Sequence, residues 1–299
     1  VDLRALQVFS TVLRRLNFSR AADELHMSVS AVSRTIARLE DELGAPLFDR
    51  DRRGMRPTAA ARELSAVALR MQADWRALQG RLGSASALSG ELRIFCSVAA
   101  THTLLSPLLA AYRAACPGVD VLLHTGDQAD GVERVRRGEA DVAVIARPSL
   151  LPEALAYRHV SASPLYLCLP QVPCPVQVRL AADDVDPPDM LPADLPWILP
   201  ERGVSKDAIE AWLLERYGVL PPVYARVAGH EAIVAMVSLG LGVGVVPQLV
   251  IEASGLSRSL EVHSLAARVP PIDIGLCARA GRLADPVVAA LWGAVTDGQ

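Results

Sequence analysis

The chain has one lysine, Lys206, beside 29 arginines, a bias we attribute to genomic base composition rather than to chemistry. It lacks a positively charged start followed by an apolar run and a small-residue cleavage site. Its apolar stretch from Ile233 to Ile251 is broken by Gly240, Gly242, Gly244 and Pro247. Those absences exclude a signal-peptide and a membrane-span reading and predict a cytoplasmic protein with no membrane partner. The five cysteines (Cys96, Cys116, Cys168, Cys174, Cys277) are odd in number, widely spaced and form no CxxC pair. A disulfide framework or a zinc ribbon is therefore excluded, and buried free thiols are expected. There is no GxSxG, HExxH, P-loop, or GxGxxG at a strand–helix turn, so the sequence reads as a non-enzyme with no cofactor. His102, His124 and Cys96 match no usual ligand spacing, and no metal site is assigned.

What is present is a chain of 299 residues, 51% hydrophobic, long enough for two or three units, each with its own core. The net charge of -3 conceals a split. Residues 1–90 carry 14 Arg against 10 Asp and Glu, a net of +4, while the remainder carries 16 basic against 23 acidic residues, a net of -7. A basic head on an acidic body suits a nucleic-acid-binding unit attached to something else.

Within the head, FSRAADELHMSVSAVSRTIARLE (residues 18–40) holds two helical patterns separated by a break of about three residues. Asn17 or Ser19 can cap the first helix, whose inward positions are Ala21, Ala22 and Leu25; Ser28 can cap the second, with Val32, Ile36 and Leu39 inward. So short a turn forces a steep crossing, and Ala22 lets the backbones approach, as in a helix-turn-helix. The second helix then reads double-stranded DNA. Ser28, Ser30, Ser33, Arg34, Thr35 and Arg38 supply hydroxyls, N–H groups and guanidinium forks for phosphates and base edges. An ordinary helical hairpin with capping serines and solvated arginines is the competing reading. LFDRDRRGMRPT argues against it, since it reads as a hairpin with Arg50, Arg52, Arg53 and Arg56 around a turn at Gly54, a basic wing.

From Thr58 to about Leu82, Leu64, Ala68, Met71, Trp75, Leu78 and Leu82 recur at spacings of four and three, a coiled-coil seam that predicts a homodimer, with a helix packed on its own domain as the competing reading. GSASALSG, residues 83–90, reads as a hinge. Beyond it strands and helices alternate: ELRIFCSV, a helix from Leu104 to Ala115, VDVLLHTG, a helix from Ala129 to Arg137, and ADVAVIA. The alternation predicts a parallel sheet with ligands at the carboxyl ends of its strands. A second lobe is predicted from Leu165, with PWILP, a helix after Gly203, VYARVAG, a helix from Glu231 to Leu239, and GVGVVP. IDIGLCARA and a helix from Pro286 to Val295 return to the first lobe, leaving a cleft. Strand ends and helix starts place Ser97, Val98, Thr101, His102, Thr125 and Gly126 on one side of it, and Ser205, Gly229, His230 and Glu231 on the other. Each alone is explained as a helix cap; their convergence on one cleft points to a small anion.

AADELHMSVSAVSRTIARLEDELGAPLFDR closely resembles the amino-terminal region of LysR-type transcriptional regulators, and the resemblance runs through the whole chain. It departs from the family at Val29-Ser30, where Gln-Pro is frequent, so base preferences do not carry over there. The resemblance implies a winged helix-turn-helix (1–58), a linker and dimerisation helix with hinge (59–90), and a two-lobed, periplasmic-binding-protein-like α/β effector domain (91–299). Lobe I would hold about 91–164 and 270–299, and lobe II about 165–269. It also implies operator DNA and RNA polymerase as partners, and dimers that pair into a homotetramer. SGELRIFCSVAATHTLLSPLL, TGDQADGVERVRRGEADVAV, PCPV and VAGHEAIVAMVSLGLGVGVVP look like the branch that activates acetohydroxy acid isomeroreductase in branched-chain amino-acid synthesis. That implies acetolactate or acetohydroxybutyrate as the small-molecule inducer; His102 stands where that branch carries an aromatic. A regulator of the same family answering another small carboxylate, and a two-lobed solute-binding protein or enzyme, are the alternatives.

Overall fold

The computed structural model describes residues 2–51, 54–82, 88–182, 187 and 191–295, in two units that divide between Ser84 and Ala85. In the first, Asp2 accepts a hydrogen bond from Ala5 N at 2.6 Å and starts α1 (Leu3–Arg15). Asn17 caps α2 (Phe18–Glu24) through Arg20 N at 3.0 Å, and Ser28 caps α3 (Val29–Leu43) through Ala31 N at 3.2 Å. Gly44, at φ +66, ends α3 in the left-handed conformation that a residue without Cβ adopts at little cost. The wing follows as β1 (Phe48–Asp51) paired antiparallel with β2 (Gly54–Pro57), Asp51 opposite Gly54. Glu40 fixes its base by accepting from Leu47 N at 2.7 Å and Phe48 N at 3.3 Å.

Helix α4 (Ala59–Leu82) begins at Thr58, whose hydroxyl accepts from Ala61 N and donates to Pro46 O. Here the seam divides. Leu64 and Ala68 are buried in the same core as Leu6, Phe9, Val12, Ile36 and Leu39, so they face their own unit rather than a partner. Met71 and Trp75 are 44% and 46% exposed. The amphipathic stripe is divided: Leu64 and Ala68 close the head, and Met71 and Trp75 stand exposed. The side chains of Leu78 and Leu82 lie outside the described residues, as do residues 83–87 of the expected hinge. Ser89 and Gly90 already belong to the next strand.

That strand, β3 (Ser89–Cys96), runs into α5 (Val98–Ala100), a π-helical turn (Thr101–Leu105) and α6 (Ser106–Ala115), so the helix starts six residues before the expected Leu104. β4 (Gly118–Thr125), a 3-10 turn (Gln128–Asp130), α7 (Gly131–Arg137), β5 (Val142–Ala146) and β6 (Leu155–Ser163) complete the first pass. The chain crosses at Pro164 into β7 (Leu165–Pro170), α8 (Pro175–Ala182), β8 (Trp197–Pro200), α9 (Val204–Tyr217), β9 (Val223–Val227) and α10 (His230–Ser238). β10 (Val243–Pro247), α11 (Gln248–Ser254) and β11 (Leu260–Ser264) finish that lobe, and β12 (Ile272–Arg279) and α12 (Pro286–Ala294) return to the first.

Each lobe is a five-stranded sheet, in the orders β4-β3-β5-β12-β6 and β11-β7-β10-β8-β9. Both are mixed, which corrects the expectation of a parallel sheet. β3 pairs parallel with β4 and β5, but the returning β12 is antiparallel to β5 and β6. In the second lobe β8 is parallel to β9 and β10, while β7 is antiparallel to β10 and β11. The cause is the chain's crossing between lobes: a strand that leaves and re-enters reverses direction. β6, α8, α11 and β11 went unassigned in the sequence because their apolar residues are few or lack a clear period.

One buried charge cluster anchors the first lobe. Asp141 accepts from Arg93 N at 3.0 Å, Arg93 Nε at 3.1 Å, Arg93 Nη2 at 2.9 Å and Arg282 Nη2 at 3.1 Å. Burial alone would raise its pKa, but the two guanidinium groups hold it below the ordinary carboxylate range.

Candidate nucleic-acid interface and ligand cleft

In the first unit, α3 turns Val32, Ile36 and Leu39 inward and leaves Ser28, Ser30, Arg34 and Arg38 exposed. Its 15 residues span about 22 Å, and a helix of that kind enters a major groove about 12 Å wide. His26, at φ 51, makes the tight turn between α2 and α3. The candidates differ in availability. Arg34 makes no hydrogen bond or ion pair among the described residues, whereas Arg38 is held by Asp2 at 3.0 Å and Glu42 at 3.8 Å. Ser28 and Ser30 hydroxyls lie 3.1 Å apart at the helix start. Thr35 turns its hydroxyl onto Ala31 O at 2.9 Å, and Ser33 is half-buried. On the wing Arg56 is exposed; the side chain of Arg50 and all of Arg52 and Arg53 lie outside the described residues.

In the second unit a narrow cleft, open to solvent at its mouth, lies between the two lobes. Ser97, Asp127, Gln128 and Ile274 come from the first lobe; Gly229, His230, Glu231, Pro247, Leu249 and Val250 come from the second. Ser97 caps α5, accepting from Ala100 N at 3.2 Å. Asp127 caps the 3-10 turn through Ala129 N at 3.1 Å and pairs with Arg202 at 3.0 Å, which also reaches Asp130 at 2.7 Å. Glu231 Oε1 accepts from Ala99 N at 3.0 Å. The bonds of Arg202 to Asp127 and Asp130 and of Glu231 to Ala99 join the lobes across the cleft.

His230 is buried, with Nε2 2.7 Å from Ser205 Oγ. Burial lowers its pKa despite the nearby Glu231 and Asp127 carboxylates, so the ring is neutral at physiological pH. Ser205, 1% exposed, stands behind it as its partner. Gly229, at φ +82, shapes the turn that brings His230 and Glu231 in.

The remaining sequence candidates lie elsewhere. Thr101 turns its hydroxyl onto Ser97 O at 2.9 Å and Cys96 Sγ at 2.8 Å. Val98 is 48% exposed, and His102, Thr125 and Gly126 are exposed outside the lining. Sequence reasoning passed over Gln128, Arg202 and the apolar wall of Pro247, Leu249, Val250 and Ile274. For the wall one local signal existed, since Pro247-Gln248 ends a strand and opens a helix. Arg202 meets Asp127 across 75 residues, and no local pattern shows that. Among the described residues no cluster of three or more His, Cys, Asp and Glu is placed to hold a metal ion, and no helix is long and apolar enough to cross a membrane.

A helix-turn-helix with an exposed arginine face, carried by a chain whose other unit is a two-lobed ligand cleft, defines a ligand-responsive DNA-binding regulator. Residues 3–62 match the bacterial regulatory helix-turn-helix protein, lysR family, and residues 85–299 match the LysR substrate binding domain. The chain belongs to the LysR family of DNA-binding transcriptional regulators. It is 38% identical over 295 residues to the HTH-type transcriptional activator IlvY of Salmonella typhimurium (strain LT2), covering 98% of each chain. It shares its fold with a full-length OxyR variant from Pseudomonas aeruginosa (TM-score 0.69, 20% identity, 100% of this chain and 99% of that one). The full-length regulator CbnR complexed with its target DNA has the same fold (TM-score 0.63, 20% identity, 99% of each).

Proposed function

We propose that the protein activates the gene for acetohydroxy acid isomeroreductase in isoleucine and valine synthesis, with acetolactate or acetohydroxybutyrate as inducer. The observation that carries this reading is the 38% identity to an IlvY activator, which extends over both the DNA-reading head and the ligand cleft. The chemistry of the cleft is in keeping with it. An acetohydroxy acid presents a carboxylate beside a carbonyl and a hydroxyl on short alkyl groups. Ser97, the first backbone N–H groups after it and the Gly229-His230 turn supply small polar partners, and Leu249, Val250 and Ile274 an apolar wall. Neutral His230 can donate from Nδ1 or accept there according to its tautomer.

The protein works in the cytoplasm as a homodimer or a pair of dimers on double-stranded operator DNA, beside RNA polymerase. The exposed Met71 and Trp75 of α4 support a partner helix on that face. No catalytic step is assigned to it. The inducer acts by favouring one lobe arrangement, since only differential affinity between two arrangements shifts a population.

Calorimetry tests the reading: acetolactate titrated into the full-length protein should saturate at one ligand per chain. Ser97→Ala should weaken that binding, while Thr125→Ala, outside the lining, should leave it unchanged. Absence of saturable acetolactate binding would remove the proposed inducer.

A further inference from the structure

We infer that Glu231 is an internal competitor of the inducer, occupying from the second lobe a donor that the inducer's carboxylate must take from the first. The inference rests on the cleft reading above and adds to it how the site is regulated. Glu231 Oε1 accepts from Ala99 N at 3.0 Å, a bond between residues 132 apart. The neighbouring donors are used within their own segment: Ala100 N by Ser97 Oγ at 3.2 Å, and Thr101 N by Ser97 O at 3.0 Å. Ala99 N–H is thus the donor of this turn whose partner comes from the opposite lobe.

The charges of the cleft point the same way. It is lined by two carboxylates, Asp127 and Glu231, and its histidine is neutral. Asp127 is balanced by Arg202 at 3.0 Å. Glu231 has no basic partner among the described residues, and its second oxygen lies 3.2 Å from where a Cβ on Gly229 would stand. A carboxylate held by one backbone N–H and folded over a glycine turn sits where an anionic ligand would bind.

A second carboxylate entering the cleft cannot share that N–H, and it repels the first at close range in a poorly screened site. Inducer binding therefore swings Glu231 out and breaks one of the bonds joining the lobes, leaving Arg202 with Asp127 and Asp130. Exchange of an internal for an external carboxylate at Ala99 links occupancy of the cleft to the lobe arrangement. Without ligand, Glu231 holds the uninduced arrangement.

The test compares full-length wild type, Glu231→Ala and Glu231→Gln in two assays: acetolactate binding by calorimetry, and inducer-free transcription from the isomeroreductase promoter in a purified system. Removal of a charge-assisted hydrogen bond should tighten acetolactate binding about tenfold in Glu231→Ala. Inducer-free transcription should rise by a similar factor. Glu231→Gln, nearly isosteric and able to keep the bond without the charge, should fall between, and it carries the test if the alanine variant unfolds. Raised inducer-free transcription with no acetolactate binding by any of the three proteins would support the internal contact and discard acetolactate as the inducer. If wild type binds acetolactate and both variants bind it equally or more weakly, the competitor is refuted and the inducer reading stands. Unchanged transcription with no binding by any protein overturns both.

Discussion

Replacing Arg34 with alanine separates the DNA-reading face from the structural face of α3. Arg34 is exposed and makes no hydrogen bond or ion pair among the described residues, so its removal should change folding stability by no more than about 0.5 kcal/mol. Its effect on DNA follows from counterion release. Each phosphate contact adds about 0.9 to the slope of log affinity against log salt. Between about 50 and 200 mM salt, a fourfold range, one contact therefore accounts for about 3.5-fold in affinity, and two symmetry-related copies on a dimer for about 12-fold. If Arg34 instead reads a guanine edge, the slope stays and discrimination against the wrong base falls by about 1–3 kcal/mol. Arg38→Ala is the informative companion, because it also unties Asp2 from α3 and should perturb the start of α1. Fluorescence anisotropy on the operator at several salt concentrations, with urea unfolding of the same samples, measures both effects. Wild-type affinity, slope and base discrimination in Arg34→Ala would remove Arg34 from the interface and place the reading face elsewhere.

Met71→Glu with Trp75→Glu, on the exposed part of α4, should halve the mass by light scattering while urea unfolding of the head stays near wild type; an unchanged mass contradicts a partner at that face. Asp141→Ala leaves Arg93 and Arg282 buried without their shared carboxylate and should cost about 3–5 kcal/mol in chemical unfolding, a loss below about 1 kcal/mol arguing against the cluster. His230 has a folded pKa lowered by burial, so the unfolded chain binds the extra proton first. Stability should hold steady above about pH 6.5 and fall as pH drops below it. His230→Gln should flatten that fall between about pH 7 and 5.5, and an identical fall in the variant would assign it to other groups.

Local chemistry was legible in the sequence where one residue decides one feature. Asn17 and Ser28 cap helices, and Val32, Ile36 and Leu39 face inward, because each acts on neighbours within a turn or two. The stripe from Leu64 to Leu82 was legible as apolar but not as divided, since spacing does not say whether α1 of the same unit or another chain covers it. The reversed β12 depends on where the chain crosses between lobes, which no window of a dozen residues contains. Ser97, Gly229, His230 and Glu231 reached the cleft because strand ends and helix starts mark its rim. Thr125 shares that kind of position, yet it ends the edge strand of its sheet and is exposed. Arg202 with Asp127, and Glu231 with Ala99, arise only when the lobes meet.

On the proposed function, one chain reads operator DNA with α3 and changes that reading when a small acid enters its cleft. Footprinting of full-length protein on the DNA upstream of the isomeroreductase gene, paired with transcription from the same template, tests it most directly. Protection of two half-sites about one helical turn apart, ~34 Å, or a multiple of that, is expected. Addition of acetolactate should alter the footprint and raise transcription. Absence of specific protection, or a footprint and transcript level indifferent to acetolactate, would contradict the claim.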